Sequence, residues 1–431
     1  MKSKVKFGVI SDAHIPNIET IEKNLYNTLM ELKKREVDLI IFAGDICDQN
    51  KKWAYDMYEM IFNCVYGKAR PTILAISGNH DLWRRVHVCD ATAIENLKKY
   101  NNQADVNTHL VINGVHFIGV TSYPYFEGKD TENPTAKVSS QRGDYEYIKE
   151  WVETEVKKAC EDSDNPVFVV SHFPPKNTLP GSYEKVTDGN ETLNEIFKKY
   201  PQIVSISGHT HFSLADNRSI HQRDFTSINA GSLHCVGCTQ VEVPQDGTMK
   251  SFIGLEKLPA DAYRKFPAFL YGEVNESEVK IERLFCNTGK KCGEDWTIPY
   301  PIKKESFVYT DSLFETAKGI SFGKDDFVKV FYMDEKDYVS FDTICYAVVK
   351  VPAVQERIVG YKCIITNKNT GIITEKCVYS EVDDNFAYPK VFQVIPLPNL
   401  EYGDYNIKIF AIETYGKDSI NYVEDNFTVK E

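Results

Sequence analysis

The sequence predicts an α/β domain followed by an all-β sandwich, and three observations lead to this prediction. Short apolar runs alternate with helix-like stretches through the first half of the 431 residues, which is typical of buried strands separated by amphipathic helices. Helix-like stretches become rare after about residue 215. From about residue 322, short strand-like runs follow one another with turn residues between them, as in β-sandwiches.

The first five predicted elements set the pattern of the α/β domain. Val5–Ile10, Asp38–Ala43 and Thr72–Ile76 are short apolar runs that predict buried strands. Between them, Ile18–Arg35 and Trp53–Tyr66 carry apolar residues at spacings of three and four, which predicts amphipathic helices. Strands that alternate with helices in this way form sheets buried between helical layers.

The same alternation continues further along the chain. His109–Val120 predicts a hairpin, because two strand-like runs flank an Asn-Gly pair. A helix is predicted over Tyr145–Cys160, and short apolar strands are predicted at Val167–Val170 and Ile203–Ile206. Each of these two strands leads directly into a polar segment that contains histidine.

The change of pattern divides the chain into three expected parts. We expect a first domain over residues 1–286, a linker over 287–321 where no period is sustained, and a β-sandwich over 322–431. The sandwich prediction rests on these strand-like runs: Phe327–Tyr332, Cys345–Val351, Tyr361–Thr366, Thr374–Val378, Val391–Val394 and Tyr405–Glu413.

Composition limits the partners and the location that we expect. A net charge of −12 repels nucleic acid at long range, and no long basic cluster offsets it, so a nucleic acid partner is disfavoured. Eleven scattered cysteines indicate reduced thiols. The apolar run Phe7–Ile10 is too short for a signal peptide, and no run approaches a membrane span. We therefore expect a cytoplasmic protein without a membrane partner.

Five short polar segments follow the ends of predicted strands. Each has apolar residues leading into it and Asp, Asn or His at its tip. Because open α/β sheets carry their ligand sites at the carboxyl ends of the strands, we expect the five segments to converge. They are Asp12-Ala13-His14, Gly44-Asp45-Ile46-Cys47-Asp48, Gly78-Asn79-His80-Asp81, Val169-Val170-Ser171-His172 and Gly208-His209-Thr210-His211.

This convergence predicts a metal centre. Imidazoles and carboxylates packed together repel one another or remain poorly solvated unless cations lie between them. Mixed nitrogen and oxygen ligands suit divalent Mn, Fe or Zn better than Ca or Mg. Two such ions about 3.5–4 Å apart are the usual arrangement for phosphoryl hydrolysis. We expect two divalent ions, whose identity the sequence leaves open.

The motifs DxH, GDxxD, GNHD, VxxH and GHTH, in this order, resemble the calcineurin-like metallophosphoesterase superfamily over roughly residues 5–235. The resemblance implies a four-layer α/β/β/α sandwich with metal-dependent phosphoesterase activity. It also implies a ligand set, in which Asp12, His14 and His211 bind one ion, Asn79, His172 and His209 bind the other, and Asp45 bridges both.

The resemblance further implies roles for two residues that are not ligands. A metal-bridging hydroxide would attack phosphorus, while His80 assists the leaving group and Asp48 orients His80. Asp48 stands where purple acid phosphatases have a tyrosine ligand. Gln49 and Asp81 depart from the pattern of protein Ser/Thr phosphatases, so protein phosphatase activity is not expected.

Three functions stay open at this point. The first is hydrolysis of a small-molecule phosphodiester, because GNHD with GHTH is similar to the cyclic-nucleotide phosphodiesterase branch. The second is a phosphomonoesterase, such as a nucleotidase or sugar phosphatase, acting at the same site. The third is a metal-binding scaffold whose β-sandwich engages a protein. The substrate, the metal pair and the oligomeric state are left open.

The C-terminal part resembles fibronectin type III modules. The resemblance is carried by the run Tyr405–Ile412 and the turn Tyr415–Ser419. Because no catalytic group of residues lies within this part, we assign it docking, homo-oligomer formation or shielding of the active-site rim.

Residues outside these roles have simpler interpretations. Asp81 is expected to cap a following helix, and Arg84 and Arg85 to lie on a solvated helix face rather than clamp phosphate. The segments Ser122–Gly143 and Pro174–Gly189 either wall the site, with Tyr123, Tyr125, Phe126 and Tyr183 available for stacking, or are surface elaboration. Structural roles are expected for the other histidines, namely His87, His109, His116, His221 and His234.

Cysteine spacing leaves one minor alternative. Cys235 and Cys238, with Cys286 and Cys292, have a spacing that a four-thiolate zinc site could use, although the second spacing is loose. Cysteines in strand-like runs of the C-terminal part are interpreted as small buried apolar residues. They are Cys345, Cys363 and Cys377.

Overall fold

A computed structural model describes most of the chain as two compact units, and the main boundary between them falls between Glu315 and Thr316. The described residues are 4–15, 19–85, 88–89, 92–126, 138–182, 190–234, 236, 267–332, 345–350, 358–380, 391–398 and 400–430.

Strands of the first unit are β1 (Val5–Ile10), β2 (Leu39–Phe42), β3 (Thr72–Ala75), β4 (Trp83–Arg85), β5 (Val88–Cys89), β6 (Thr108–Ile112), β7 (Val115–Val120), β8 (Tyr123–Phe126), β9 (Val138–Asp144), β10 (Val167–Ser171), β11 (Ile203–Ser207), β12 (Ile220–Gln222), β13 (Thr226–Asn229), β14 (Ala268–Val274), β15 (Glu278–Phe285) and β16 (Trp296–Pro299). The α-helices are α1 (Glu19–Lys34), α2 (Lys52–Tyr66), α3 (Ala93–Asn101), α4 (Lys149–Asp162), α5 (Glu191–Phe197) and α6 (Asp311–Thr316). Short 3-10 helices cover Glu146–Ile148, Asn217–Ser219 and Lys304–Ser306.

One six-stranded sheet has the order β16-β15-β14-β1-β2-β3. Its strands β1, β2 and β3 are parallel, and they confirm the three strands predicted in the first 76 residues. The remaining strands pair antiparallel with their neighbours. Strand β16 lies within the segment 287–321 that was expected to be a linker, and it forms the edge of this sheet by pairing with β15.

The second six-stranded sheet has the order β12-β13-β11-β10-β7-β6. Its inner strands β7, β10, β11 and β13 are parallel, whereas β6 and β12 are antiparallel edge strands. The predicted hairpin is confirmed as β6–β7. Its turn has φ of 50° at Asn113 and 79° at Gly114, the left-handed values that a two-residue hairpin of this type requires.

The two sheets pack face to face through aromatic side chains. The ring of Phe7 lies 5.7 Å from that of Phe117 and 5.0 Å from that of Phe168, and all three side chains are fully buried. Helices α1 and α2 cover the outer face of the first sheet. On the other side, α4 and α5 cover the outer face of the second sheet. The first unit is therefore a four-layer α/β/β/α sandwich, as expected.

Parallel strands of both sheets supply the ends at which the motifs begin. Strands β1, β2 and β3 end at Ile10, Phe42 and Ala75, shortly before the first three motifs. Strand β10 ends at Ser171, directly before His172 of the fourth motif, and β11 ends at Ser207, directly before the fifth. Apart from the first half of β3, these strands are buried along nearly their whole length, which explains their continuous apolar sequences.

The second unit is all-β. Its strands are β17 (Val328–Tyr332), β18 (Cys345–Lys350), β19 (Ile358–Asn367), β20 (Ile373–Tyr379), β21 (Phe392–Pro396), β22 (Gly403–Glu413) and β23 (Val423–Val429). They form antiparallel sheets of order β17-β18-β21 and β20-β19-β22-β23. A buried cluster with members on both sheets, including Ala347, Ile395, Cys363 and Ile407, forms the core. This agrees with the all-β part predicted from the sequence.

In the part of the chain that the structure describes, no helix combines the length and apolar character needed to cross a membrane. The side chains of Tyr123, Tyr125 and Phe126 lie outside the described residues, as does Tyr183. Both interpretations of their segments, a wall of the site and surface elaboration, therefore stay predictions.

Candidate metal centre

The loops after β1 and β2 run side by side beyond the sheet. The backbone N–H of Asp12 donates to the carbonyl of Gly44, and that of His14 donates to the carbonyl of Asp45, both at 3.0 Å. Ile15 continues this pairing as an isolated parallel bridge to Cys47. The sheet hydrogen bonding thus extends into the motifs and fixes where their side chains begin.

Five of the predicted ligands have left-handed backbone, which is uncommon outside glycine. Such residues cost on the order of 1–3 kcal/mol each, and they persist where the surrounding structure holds them. The five φ values are 51° for Asp12, 47° for His14, 51° for Asp45, 67° for His209 and 50° for His211. The motif loops are therefore strained at the residues that carry the chemistry.

Glycines let two of the motifs approach their neighbours closely. A Cβ placed on Gly78 would overlap the carboxylate of Asp45. On Gly208, a Cβ would overlap the hydroxyl of Ser11 and lie 2.6 Å from Oδ2 of Asp12. Any side chain at these positions would push the two carboxylates away from their present places.

One group of donors joins the first motif to the last. Nε2 of His14 lies 3.2 Å from Nε2 of His211. Oδ1 of Asp12 lies 3.1 Å from Nε2 of His211 and 3.8 Å from Nε2 of His14. Asp12 and His14 are buried. One carboxylate oxygen and two imidazole nitrogens thus face a common point.

A second group of donors joins the third motif to the last two. Oδ1 of Asn79 lies 3.1 Å from Nε2 of His172 and 3.1 Å from Nδ1 of His209. The other ring nitrogen of His172, Nδ1, lies 2.8 Å from the carbonyl of Ala43. Because a carbonyl only accepts, Nδ1 carries a hydrogen, so Nε2 is the nitrogen that can offer a lone pair to a metal once the ring is neutral.

Asp45 lies between the two groups. Its Oδ2 is 3.2 Å from Nε2 of His172 and 3.7 Å from Nε2 of His14. Its Oδ1 accepts the backbone N–H of His80 at 2.8 Å. The carboxylate is 1% exposed. A single buried oxygen is thus shared by both groups of donors.

His80 is held by Asp48 at the edge of the site. Its Nδ1 lies 3.1 Å from both Oδ1 and the carbonyl oxygen of Asp48. The same Oδ1 is 3.4 Å from Nδ1 of His14, so Asp48 contacts two of the imidazoles. The indole of Trp83 packs against the ring of His80 at 4.1 Å, a contact that the sequence analysis missed.

The carboxylates and imidazoles of the site shift one another's pKa values. Burial acts to lower the pKa of His14 and His172, but hydrogen bonds and charge from Asp12, Asp48 and Asp45 outweigh it and raise both pKa values to about 9. Burial raises the pKa of Asp12 and Asp45, but the surrounding imidazoles outweigh it and hold both well below the usual range. Without a metal, the site is therefore a buried group of carboxylates and imidazolium ions.

This donor set fits divalent metal ions. Three clusters of His and Asp donors have ligand atoms within 4.8 Å of one another. They are His14, His211 and His234; His14, Asp45 and His80; and Asp45, His172 and His209. Nitrogen and carboxylate oxygen in this mixture suit first-row divalent ions, and a bound cation would satisfy lone pairs that otherwise face one another.

The structure corrects the expectation for Asp81. No helix follows it directly, since the next element is β4. Instead, its carboxylate accepts the backbone N–H groups of Ile46, Cys47 and Gly78 at 3.2, 2.9 and 3.0 Å. Asp81 therefore ties the second motif loop to the third. Burial, followed by the charge of Asp45, raises its pKa to about 6.

Two histidines outside the motifs form a chain of contacts with helix α4. Nδ1 of His109 lies 2.7 Å from Glu155, and its Nε2 lies 2.8 Å from Nδ1 of His116. Nε2 of His116 lies 3.1 Å from Asp162. Both rings belong to the β6–β7 hairpin and join it to α4.

The remaining expectations divide between described and undescribed residues. His221 is buried and lies 2.9 Å from Asp311. Cys286 and Cys292 are buried, and within the described residues no candidate metal cluster contains cysteine. Placement is not described for Cys235, Cys238 and His87, nor for the side chains of Arg84 and Arg85.

Gly78→Ala should weaken metal binding by at least about 10-fold, because the added Cβ displaces the carboxylate of Asp45. The measurement is isothermal titration of the metal-free protein with Mn²⁺. Gly67→Ala is the control for a strained alanine away from the site, since φ at Gly67 is 57° but the added Cβ meets nothing within 4 Å. Equal affinities of the Gly78 variant and the unaltered protein would contradict this account of the site.

Metal binding should release protons at pH 7, because His14 and His172 have pKa values of about 9 without metal and coordinate only as neutral rings. Metal affinity should therefore increase as the pH rises toward 9. Titrations in buffers of different ionisation enthalpy measure the number of protons released. A heat of binding that does not depend on the buffer would show that the prediction is wrong.

Comparisons with known proteins agree with this geometry. Residues 5–213 match the family model of the calcineurin-like phosphoesterases. A probable glycerophosphodiester phosphodiesterase from Arcobacter nitrofigilis is 27% identical over 221 residues, covering 47% of this chain and 70% of that protein.

Solved structures with a similar fold include a dimetal phosphatase from Danio rerio. It is 13% identical, with a TM-score of 0.46, and the match covers 69% of this chain and 100% of the other. A purple acid phosphatase from yellow lupin is 13% identical, with a TM-score of 0.43, over 68% of this chain and 53% of the other.

The family match covers all five motifs, and these motifs carry donors that meet in the structure. Together they identify the chain as a metal-dependent phosphoesterase whose residues 5–213 are similar to the calcineurin-like phosphoesterases.

Proposed function

We propose that this site hydrolyses phosphate diesters of small molecules with two divalent ions. The observation that carries the proposal is the position of Oδ2 of Asp45, which lies 3.7 Å from His14 and 3.2 Å from His172 and so is shared by both groups of donors. The proposed ligands are Asp12, His14 and His211 for one ion, Asn79, His172 and His209 for the other, and Asp45 for both.

When bound, the two ions would supply Lewis-acid stabilisation of the phosphoryl oxygens and make hydroxide available near neutral pH. The protein's own contribution is positional. Hydrogen bonds from the backbone N–H of His209 to Asp12, at 3.3 and 3.1 Å, fix one carboxylate. The N–H of His80 fixes the carboxylate of Asp45. Fixed donors cost little reorganisation during the reaction.

His80 is proposed to assist the leaving group. Asp48 holds its Nδ1, which leaves Nε2 for the substrate. The side chain of His80 is 26% exposed, compared with 0% for His172 and 5% for His14. Among these imidazoles, His80 is therefore the one that a substrate oxygen can reach, and it can donate a proton to that oxygen as the ester bond breaks.

A diester substrate is favoured over a monoester by the likeness to the glycerophosphodiester phosphodiesterase. A phosphomonoesterase at the same site is the second candidate, and rates on matched mono- and diester substrates separate the two. Mn, Fe and Zn are the proposed metals.

The second unit is proposed to resemble fibronectin type III domains and to serve docking, homo-oligomer formation or shielding of the rim. Its seven described strands in two antiparallel sheets are compatible with such a module. A cytoplasmic location is part of the proposal.

The proposal is tested by hydrolysis of bis-p-nitrophenyl phosphate with added Mn²⁺. We expect turnover that chelation abolishes, and a loss of at least about 100-fold for Asp45→Asn, because the shared ligand loses its charge. His109→Gln, which alters a ring held by Glu155 and His116, is the control and should retain activity. Absence of turnover across divalent metals and both ester classes would count against the proposal.

His80→Ala should slow hydrolysis by about 10²–10⁴-fold when the leaving group is an alkoxide that needs a proton. With p-nitrophenolate, a good leaving group, the loss should be much smaller. Comparing kcat for alkyl and nitrophenyl diesters measures the difference, and Asp48→Asn should show the same trend more weakly. Equal losses for both leaving groups would exclude the proton-donating role.

A further inference from the structure

His234 lies beside the proposed metal centre, although it belongs to none of the five motifs. One ring nitrogen of His234 lies within 4.8 Å of ligand nitrogens of both His14 and His211. Its ring centroid is 5.1 Å from that of His14 and 6.3 Å from that of His211. The sequence analysis expected a structural histidine here, and the structure instead places it next to two proposed ligands.

The backbone around His234 is fastened to the first motif. Its N–H donates to the carbonyl of Asp12, and that of Leu233 donates to the carbonyl of Ser11, both at 3.0 Å. The hydroxyl of Ser232 donates to the same carbonyl of Asp12 at 3.1 Å, and the side-chain amide of Asn24 donates to Leu233 at 3.0 Å. These hydrogen bonds therefore fix the position of the His234 backbone relative to the first motif.

The segment that carries His234 follows the end of a parallel strand, as the five motifs do. Strand β13 pairs parallel with β11, from Val204–Thr226 to Ser207–Asn229. The two strands thus end at the same edge of the second sheet. His211 lies beyond the end of β11, and His234 lies beyond the end of β13, so neighbouring strands deliver both rings to one place.

The ring of His234 has nitrogens available for a ligand. Among the described residues, no group forms a hydrogen bond with either ring nitrogen, whereas the backbone N–H donates to the carbonyl of Asp12 and to the hydroxyl of Ser232. The side chain is only partly buried. A neutral imidazole with an unengaged acceptor nitrogen, held beside two other imidazoles, is suited to a cation.

We propose that His234 is a third imidazole ligand of the ion bound by Asp12, His14 and His211, an inference that rests on the proposed two-ion centre. With metal–nitrogen bonds of about 2.0–2.1 Å, two ligands of one ion are at most about 4.2 Å apart. Nitrogens within 4.8 Å of one another therefore need to move by only a few tenths of an ångström.

This assignment gives the two ions different numbers of protein ligands. Counting the shared oxygen of Asp45, the chain supplies five donors to the first ion and four to the second. The residues that would hold the second ion, Asn79, His172 and His209, would thus leave more of its coordination open to solvent and substrate than the residues that would hold the first. Three imidazoles also make the first ion the more tightly bound of the two.

The test is titration of the metal-free protein with Co²⁺, followed by its visible absorption and by isothermal titration. The unaltered protein should bind two ions, one more tightly. His234→Ala should weaken the tighter ion by at least about 10-fold, change the spectrum of the first equivalent, and leave the second ion unchanged. Added imidazole should restore the original spectrum, and His109→Gln should behave as the unaltered protein.

The possible failures are distinguishable. If His234→Ala binds both ions with unaltered affinity and spectrum, the inference is wrong while the two-ion centre stands. A raised KM with unchanged metal binding would likewise overturn it and place His234 against the substrate. If the unaltered protein binds fewer than two ions, the proposed function fails. Should the alanine variant not fold, His234→Asp, which keeps a ligand atom, must bind the first ion more tightly than His234→Leu by at least about 10-fold; equal affinities of these two variants would overturn the inference.

Discussion

The alignment of the two sheets of the first unit depends on the carboxylate of Asp45. It follows a strand of the first sheet, and its Oδ2 lies 3.2 Å from Nε2 of His172, which follows a strand of the second. A buried carboxylate costs several kcal/mol unless hydrogen bonds and opposite charges compensate it. Here the compensation comes from His172, His14 and the N–H of His80. The two sheets must therefore be aligned, because only then do these groups surround the buried carboxylate and offset the cost of burying it.

Backbone strain and close packing follow from this convergence. Five of the seven proposed ligands have left-handed backbone, among them Asp12, Asp45 and His209, so most of these short loops reach the shared centre through strained φ values. The loops hold these values because they hydrogen bond to one another, and Asp81 adds three backbone contacts between the second and third loops. Rigid loops of this kind present preformed donors, which is how functional sites keep their geometry.

Much of the fold and site could be predicted, for physical reasons. Buried parallel strands have continuous apolar sequences, so β1, β2 and β3 were found, and polar residues at their ends marked the site. Strand β16 was missed because its four residues owe their conformation to pairing with β15. The place of His234 beside His14 and His211 was missed because His234 stands alone in the sequence, outside the five motifs. Asp81 has the spacing of a helix cap, and only the structure shows that it binds loops.

The β6–β7 hairpin and α4 share one continuous chain of polar contacts. Nδ1 of His109 lies 2.7 Å from Glu155, and Nε2 of His116 lies 3.1 Å from Asp162. The two remaining ring nitrogens lie 2.8 Å from each other and close the chain. Glu155 and Asp162 are seven residues apart on α4, which is about two turns of helix. The hairpin is thus fastened to the helix at two separate turns, which opposes rotation of one element against the other.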